Sequence, residues 1–488
     1  MSPVVTLVAV LVLAPLTYSQ SCENADAEVL ILGAGISGIT AAKTLHDNGI
    51  TNFTILEQRD RIGGRINSSR FAGATIELGA QWIVGADPSA PLNMRNPIIR
   101  LAQRCGLQYR QRRVGGTFTV YNREGVDVTN DTLITFTSQY LPALAGATQQ
   151  LAQLQRDDPL GDQDLSLDAA FRLSGWNARN PLQQWVEYFA VDLIYGAPAD
   201  VLSFRRSLQI GEFVREDFGN NTGNFLVTDP RGFMFIVDCI AEDFLATDDP
   251  RLHLNTTVTS IQWSDECVCA SVIENGESNQ YCAPYAIFTF SVGVIENNVV
   301  QFIPPLPYSR LFAIHQYSLS NFLKIWIAFN ETFWDEDVEW IGYADEINGR
   351  EYFPMFTPLG THLPGRPNII EAFLTGETAL RIAQQDIELT KLQIAEVLRR
   401  MYGQRAREPT DIVMHDFITN PYFYGDYRIA IPGVDLRNYQ TLNSPLSRMY
   451  FAGEMTARYH SSVHGSYLSG VDQANAVLRQ IMASHQGI

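Results

Sequence analysis

The sequence predicts an α/β fold of two domains, one headed by a strand, glycine turn and helix, the other an insertion built from a sheet flanked by helices. Three observations carry this expectation. Val29-Leu30-Ile31-Leu32 is an apolar run that passes directly into Gly33-Ala34-Gly35-Ile36-Ser37-Gly38 and a helical stretch at 39–48. The chain has 488 residues, enough for two domains, and its apolar and charged fractions are those of an ordinary globular protein. Near the C-terminus Met449-Tyr450-Phe451-Ala452-Gly453-Glu454 again reads as a strand entering a glycine-acid turn, followed by a helix at 469–484.

The first unit reads as a Rossmann-like dinucleotide cradle of the GxGxxG type. Gly33 lets the chain turn sharply, Gly35 lets backbone approach a pyrophosphate, and Gly38 lets helix and strand pack closely. Free N–H groups at the helix start, around Ser37, would face the phosphates. The second strand, Phe53-Thr54-Ile55-Leu56, delivers Glu57 where a carboxylate accepts hydrogen bonds from a ribose diol. That carboxylate suits NAD and FAD equally.

Arg59-Asp60-Arg61-Ile62-Gly63-Gly64-Arg65, with Ile76-Glu77-Leu78-Gly79-Ala80-Gln81-Trp82 after it, resembles the flavin-dependent amine oxidases, and the resemblance implies FAD. A glycine pair beside Arg61 and Arg65 would make a second anion cradle for the long diphosphate-ribityl arm of that cofactor.

Composition bounds the partners. The net charge of −18 disfavours a polyanion such as nucleic acid and would draw a cationic substrate inward. Residues 4–16 form an apolar stretch too short to span a bilayer, with Thr17 and Ser19 beyond it. We expect a signal peptide over residues 1–20, cleaved near Ser19 or Gln20, and a secreted protein with no membrane attachment afterwards. The stretch lacks Lys and Arg before its apolar run, so an N-terminal membrane anchor is the alternative. Sequons at Asn52, Asn67, Asn130, Asn220, Asn255 and Asn330 fit the secretory route, although Asn67 lies too close to the cradle to expect modification.

Cys269 and Cys282 flank a hairpin whose tip is Asn275-Gly276, a preferred two-residue turn. Counting outward from Glu274 opposite Glu277 brings the two cysteines face to face at a non-hydrogen-bonded pair, so a disulfide is expected there. Cys22, Cys105, Cys239 and Cys267 stay unassigned, and no cysteine has metal-ligand spacing with histidines.

Taken in order, a helix at 98–105 follows the first motifs. From there to residue 231 the chain is helical and loop-rich, with helical spacing at 133–154 and 167–171. A helix at 233–245 should dock on the first sheet. Strand-like runs at 258–263, around Cys269 and Cys282, and at 285–290 suggest a small antiparallel meander. Runs at 323–329 and 369–373 read as strands of a second sheet, and 388–402 as a helix on it. The expected cofactor domain is 26–105, 232–310 and 435–488, and the expected substrate domain 106–231 and 311–434. The oligomeric state is not legible.

Phe451-Ala452-Gly453-Glu454 and Val463-His464-Gly465-Ser466-Tyr467-Leu468-Ser469-Gly470 extend the resemblance to about residue 480, closest to secreted polyamine oxidases of the plant apoplast type. It implies that Gly453 and Glu454 hold the FAD arm, that Lys324 keeps a water against flavin N5, and that Tyr427 and Tyr467 sandwich the substrate amine. Monoamine oxidases bind flavin through a cysteine in the last motif. Ser466 and Tyr467 offer no thiol, so non-covalent FAD is expected. Lys324 stands alone in an apolar strand by sequence, a costly place for a lysine without a purpose.

Two departures bear on the substrate. The carboxylates with which plant-type relatives read distal amines fall here on Val84 and on Ile194, beside Tyr195. Glu187, Asp192 and Glu212 are the acids that could replace them. The reading is a secreted FAD-dependent amine oxidase that takes a small amine and oxygen. An L-amino-acid oxidase, with Arg428 facing a substrate carboxylate, and a flavin-binding protein without turnover are the alternatives.

Overall fold

Val29–Leu32 is buried on both faces and pairs in parallel with Phe53–Leu56 on one side and Tyr285–Phe288 on the other. A strand without a polar face needs cover above and below, which a parallel sheet between two layers supplies. The computed structural model describes residues 22, 25–112, 116–158, 163–218, 223–345, 349–434 and 436–485. In it this sheet has five strands in the order Met449–Phe451, Tyr285–Phe288, Val29–Leu32, Phe53–Leu56 and Leu252–His253, every neighbouring pair parallel. The expected α/β fold is therefore present.

Alternation along the strands sorts the two faces. Val29 and Ile31 join a core with helices Ile36–Asp47, Phe235–Ala241 and Val463–His485, whereas Leu30 and Leu32 face a second core under the neighbouring antiparallel sheet. The C-terminal helix begins six residues earlier than the expected 469. Gly465 and Gly470 do not interrupt it. A β-carbon at Gly465 would lie 2.0 Å from the Tyr459 carbonyl oxygen, and one at Gly470 2.2 Å from that of Ser37, so these glycines serve close packing.

The meander differs from expectation in one strand. Thr256–Trp263, Val268–Glu274 and Glu277–Ala283 are antiparallel neighbours, with Gln301–Ile303 added at the edge. Tyr285–Phe288 leaves them for the parallel sheet, because all four of its residues are buried and fit a two-sided site rather than a half-exposed one. The hairpin register is as expected: Glu274 opposes Glu277 and Cys269 opposes Cys282, with Asn275 and Gly276 both at positive φ. Cys269 and Cys282 are bonded, their Cα atoms 4.1 Å apart. The four unassigned cysteines form Cys22–Cys267 and Cys105–Cys239.

A second sheet of six strands runs Asp411–His415, Phe322–Ala328, Ile369–Thr375, Met355–Pro358, Trp340–Ala344 and Phe118–Asn122. Helix Ile387–Tyr402 covers one face through Ile394, Val397, Leu398 and Met401. Over the other face lie Thr129–Thr135 and Leu141–Asp157, joined by a π-helical turn at Phe136–Tyr140, and Pro181–Glu187, extended by another at Tyr188–Asp192. Each π turn inserts one extra residue and swings the side chains that follow, a device common beside functional sites.

Residues 1–20, with the expected cleavage point, and the sequon at Asn220 lie outside the described residues. Asn67 is buried, while Asn52, Asn130, Asn255 and Asn330 are exposed. No helix among the described residues is long and apolar enough to cross a membrane.

The disulfides close loops of very different length, with sequence separations of 134 for Cys105–Cys239 and 13 for Cys269–Cys282. Loop-closure entropy gives about 3 kcal/mol for a short loop and about 4.7 kcal/mol for one of about 100 residues. Urea unfolding of the two double Cys→Ser variants should therefore show the larger loss for Cys105/Cys239. Equal losses would show that the chain-entropy difference does not govern them.

Candidate active site

One cavity of about 910 Å³ runs from the end of the parallel sheet to the second sheet. At its first end Gly33, with φ 105°, turns the chain away from the strand. A β-carbon on Gly38 would stand 1.9 Å from the Gly33 carbonyl oxygen, so only glycine lets the helix begin here. Gly35 faces open space and lines the cavity with Ser37. The Glu57 carboxylate is fixed by the N–H groups of Ala34, at 2.8 Å, and Arg59, at 3.0 Å. Burial raises its pKa despite those bonds.

The Gly63-Gly64 turn closes against this loop, with Gly64 packed over Gly35, and both line the cavity beside Arg59 and Arg65. Arg61 does not reach it. Its guanidinium binds the carbonyl oxygens of Ile62, Gly64 and Ile66, so it braces the loop instead of facing an anion. Gly453, at φ 96°, and Glu454 complete this end. Glu454 Oε1 accepts from the N–H groups of Arg428 and Ser461 at 2.9 and 3.1 Å. Among the described residues Ser37 Oγ and Glu454 Oε2 are two of several buried side-chain atoms without a hydrogen-bond partner, the latter with Arg65 Nη1 3.8 Å away. Two unmet polar atoms, two glycine turns and a ribose-type carboxylate along one channel fit FAD, whose hydroxyl and diphosphate groups would satisfy them.

Lys324 sits where this end meets the second sheet, and it is not alone. Its ammonium donates to the carbonyl oxygens of Glu77 and of Gly79, the latter at 2.7 Å, and to Gln81 Oε1 at 2.9 Å. Glu371 Oε1 is 3.5 Å away. The sequence could not show these partners because they come from the 77–81 loop and a neighbouring strand. Burial lowers the Lys324 pKa, with Glu371 and Glu77 opposing the shift. Glu77 is pushed up to about 7 by burial, while Ser68 and the Phe233 N–H group hold it down. Ala80 and Trp82 line the cavity beside this strap.

Beyond Lys324 the wall is aromatic. Tyr427, Phe322, Phe373, Trp340 and Phe189 form a continuous chain of ring contacts, with centroid distances of 5.9, 6.0, 5.9 and 6.2 Å, and all five line the cavity. Gly196 sets the position of Tyr427, since a β-carbon there would lie 2.3 Å from its hydroxyl. Val84 and Ile194 line the same end and are 38% and 52% exposed, so the departures read from the sequence do face the cavity, with Tyr195 beside them.

Two expected residues fall elsewhere. Tyr467 is turned away: its carbonyl accepts from Thr40 Oγ1 at 3.3 Å, and its side chain packs with the core between the helices. Successive helical residues differ by about 100°, and Ser466, one position earlier, takes the cavity face with Val463. Arg428 is 1% exposed, stacks on Tyr317 and donates to the carbonyl oxygens of Met455 and Ala457, so it offers no guanidinium to a substrate carboxylate. Glu187 and Asp192 also miss the cavity, and the Glu212 side chain is outside the described residues. Asp426, unnoticed in the sequence, does line it. Burial raises its pKa to about 8, with Arg65 the main opposing charge.

The family described as flavin containing amine oxidoreductase matches residues 36–478. Polyamine oxidase 1 of Zea mays is 31% identical over 469 residues, covering 92% of this chain and 90% of that protein. Polyamine oxidase 7 of Oryza sativa subsp. japonica is 31% identical over 465 residues, covering 91% and 93%. The human protein named lysine-specific histone demethylase 2 is 25% identical over 92% of this chain but only 53% of its own. Among solved structures, a putrescine oxidase double mutant superposes with a TM-score of 0.73 at 22% identity, over 93% of this chain and 99% of that one, which supports the fold.

All six cysteines are in disulfides. Acid precipitation of the yellow protein should therefore release intact FAD, and colour retained by the pellet would contradict non-covalent binding. Gly38→Ala should emerge from gel filtration without flavin, as its β-carbon has no room beside Gly33. Stoichiometric FAD in that variant would refute the close approach.

Proposed function

This chain belongs to the flavin containing amine oxidoreductases and is an FAD-dependent amine oxidoreductase, and from that premise we propose a secreted enzyme that oxidises a C–N bond of a small amine to an imine, which water hydrolyses to an aldehyde and a freed amine, while oxygen takes the two electrons and becomes hydrogen peroxide. The supporting observation is the aromatic wall that leads from Val84 and Ile194 to Tyr427 beside the cofactor end. FAD, when bound, supplies a hydride acceptor at N5 and returns the electrons to oxygen.

The protein's own residues would do the rest. Electron-rich ring faces attract an arriving ammonium and exclude water from the carbon that reacts. Burial lowers the pKa of His415 to about 4 and of His460 and His464 to about 3, so these three cavity-lining histidines are neutral at pH 7 and do not repel a cation. Lys324 fixes the 77–81 loop through all three of its donors, and holding a water toward the reacting centre would require its ammonium to release one of those acceptors. Glu57 would receive the ribose hydroxyls, and Glu454 Oε2 a hydroxyl of the ribityl arm. The amino-acid alternative loses its motivation because Arg428 points away from the cavity.

The polyamine oxidases among the relatives make polyamines the first substrates to test. Val84 and Ile194 place no charge where a distal ammonium would rest. A charge-assisted contact contributes about 1.5 to 3 kcal/mol, so each absent partner weakens binding about tenfold or more. In a peroxide assay an acetylated or singly charged amine should show the higher kcat/KM, and Val84→Glu should move the ratio toward spermine. A wild-type preference for spermine of about tenfold or more would overturn this reading.

Lys324→Met should slow flavin reduction or reoxidation by about tenfold or more while FAD stays bound, as expected of one lost charge-assisted contact at the reacting centre. Loss of FAD on gel filtration would make Lys324 a strap for the loop and nothing more.

A further inference from the structure

The π turn at Tyr188–Asp192 has a carboxylate at each end, Glu187 just before it and Asp192 as its last residue. Both are buried, and one guanidinium serves both. Arg350 Nη1 pairs with Glu187 Oε1, and Nη2 lies 3.2 Å from Asp192 Oδ1. Trp176 Nε1 donates to the other Glu187 oxygen at 2.6 Å. Between and after these acids, Phe189, Ala190, Leu193 and Ile194 turn the opposite way and line the cavity.

The acids are behind the wall but electrostatically close to it. Tyr140 lines the cavity, and Glu187 and Asp192 add to the burial that raises its pKa. Burial pushes the Asp192 carboxyl well above the usual carboxylate range against the pull of Arg350, so the attraction for a second ammonium would come from the Glu187 carboxylate. Arg350 opposes that field and grips both ends of the turn that carries the wall. Its fork matches two carboxylates in a way that a single ammonium does not.

We propose that Arg350 is a specificity-determining positioning residue, which balances the Glu187 carboxylate and holds Asp192 behind the apolar wall so that the cavity favours a substrate whose far end is uncharged. The inference rests on the amine-oxidase reading and deepens it. Arg350 touches no reacting atom. It acts through the π turn and through the field at the wall.

The test compares octylamine with 1,8-diaminooctane, two primary amines of one length that differ in the far charge. With wild-type holoenzyme the monoamine should have the higher kcat/KM. Arg350→Met should shift the ratio toward the diamine by about fivefold or more, carried by KM, with the limiting rate of flavin reduction changed less than about threefold. Arg350→Lys, which keeps the charge without the fork, should raise KM for both amines and leave their ratio near wild type. A loss in Arg350→Met that is equal for the two amines would mean a structural role only and would overturn the proposal. If Arg350→Met does not accumulate, Arg350→Lys decides alone: an unchanged KM for both amines, or a ratio shifted fully to the diamine, refutes it. If no amine reduces wild-type flavin, the enzymatic reading fails separately. The same comparison is then made by anaerobic titration of each amine against the absorbance of the bound flavin, where equal affinities in wild type and Arg350→Met refute the clamp.

Discussion

The Lys324 ammonium joins the two halves of the site. It rises from a buried strand of the second sheet and binds the loop that follows the flavin-type glycine turns, through Glu77, Gly79 and Gln81. Burying a lone cation would cost several kcal/mol, and here three donors find three acceptors with Glu371 alongside. That satisfied contact fixes the distance between the dinucleotide cradle and the aromatic wall. Gly79 lies under the same constraint, since a β-carbon on it would stand 1.7 Å from the Arg65 carbonyl oxygen. The loop is thus held on one side by Lys324 and on the other by backbone.

Charge is distributed unevenly along the cavity. Arg59, Arg65 and Lys324 line the cofactor end, with Glu57, Asp426 and Glu454 among them. The substrate end is walled by Val84, Ile194 and rings, while the acids nearest to it, Glu187 and Asp192, are tied to Arg350. A negatively charged protein thus presents an apolar pocket to an amine. The net field can still favour cation approach, whereas selection at the wall depends on shape and desolvation.

Local patterns made much of the architecture legible. Gly33 to Gly38, Glu57 and the Asn275-Gly276 hairpin rest on contacts within a few residues or on fixed spacings, and the structure places all of them as read. Tyr285–Phe288 was misassigned because an apolar run does not say which sheet will bury it. Tyr467 was misplaced for a related reason: a motif gives order along the chain, but the helix phase, set in part by Gly470 packing on the distant backbone of Ser37, decides that Ser466 faces the cavity. The partners of Lys324, the pairing of Cys105 with Cys239 and the Arg350 clamp join residues far apart in sequence, so no local pattern reports them.

The account stands on an amine reaching the flavin through an aromatic channel. Anaerobic mixing of the purified holoenzyme with a primary alkylamine, followed by the visible absorbance of the flavin, tests this most directly. Bleaching that saturates with amine concentration, and reverses when oxygen is admitted with release of peroxide, is the expected result. Flavin that stays oxidised with every amine, or that is bleached by amino acids alone, would contradict it.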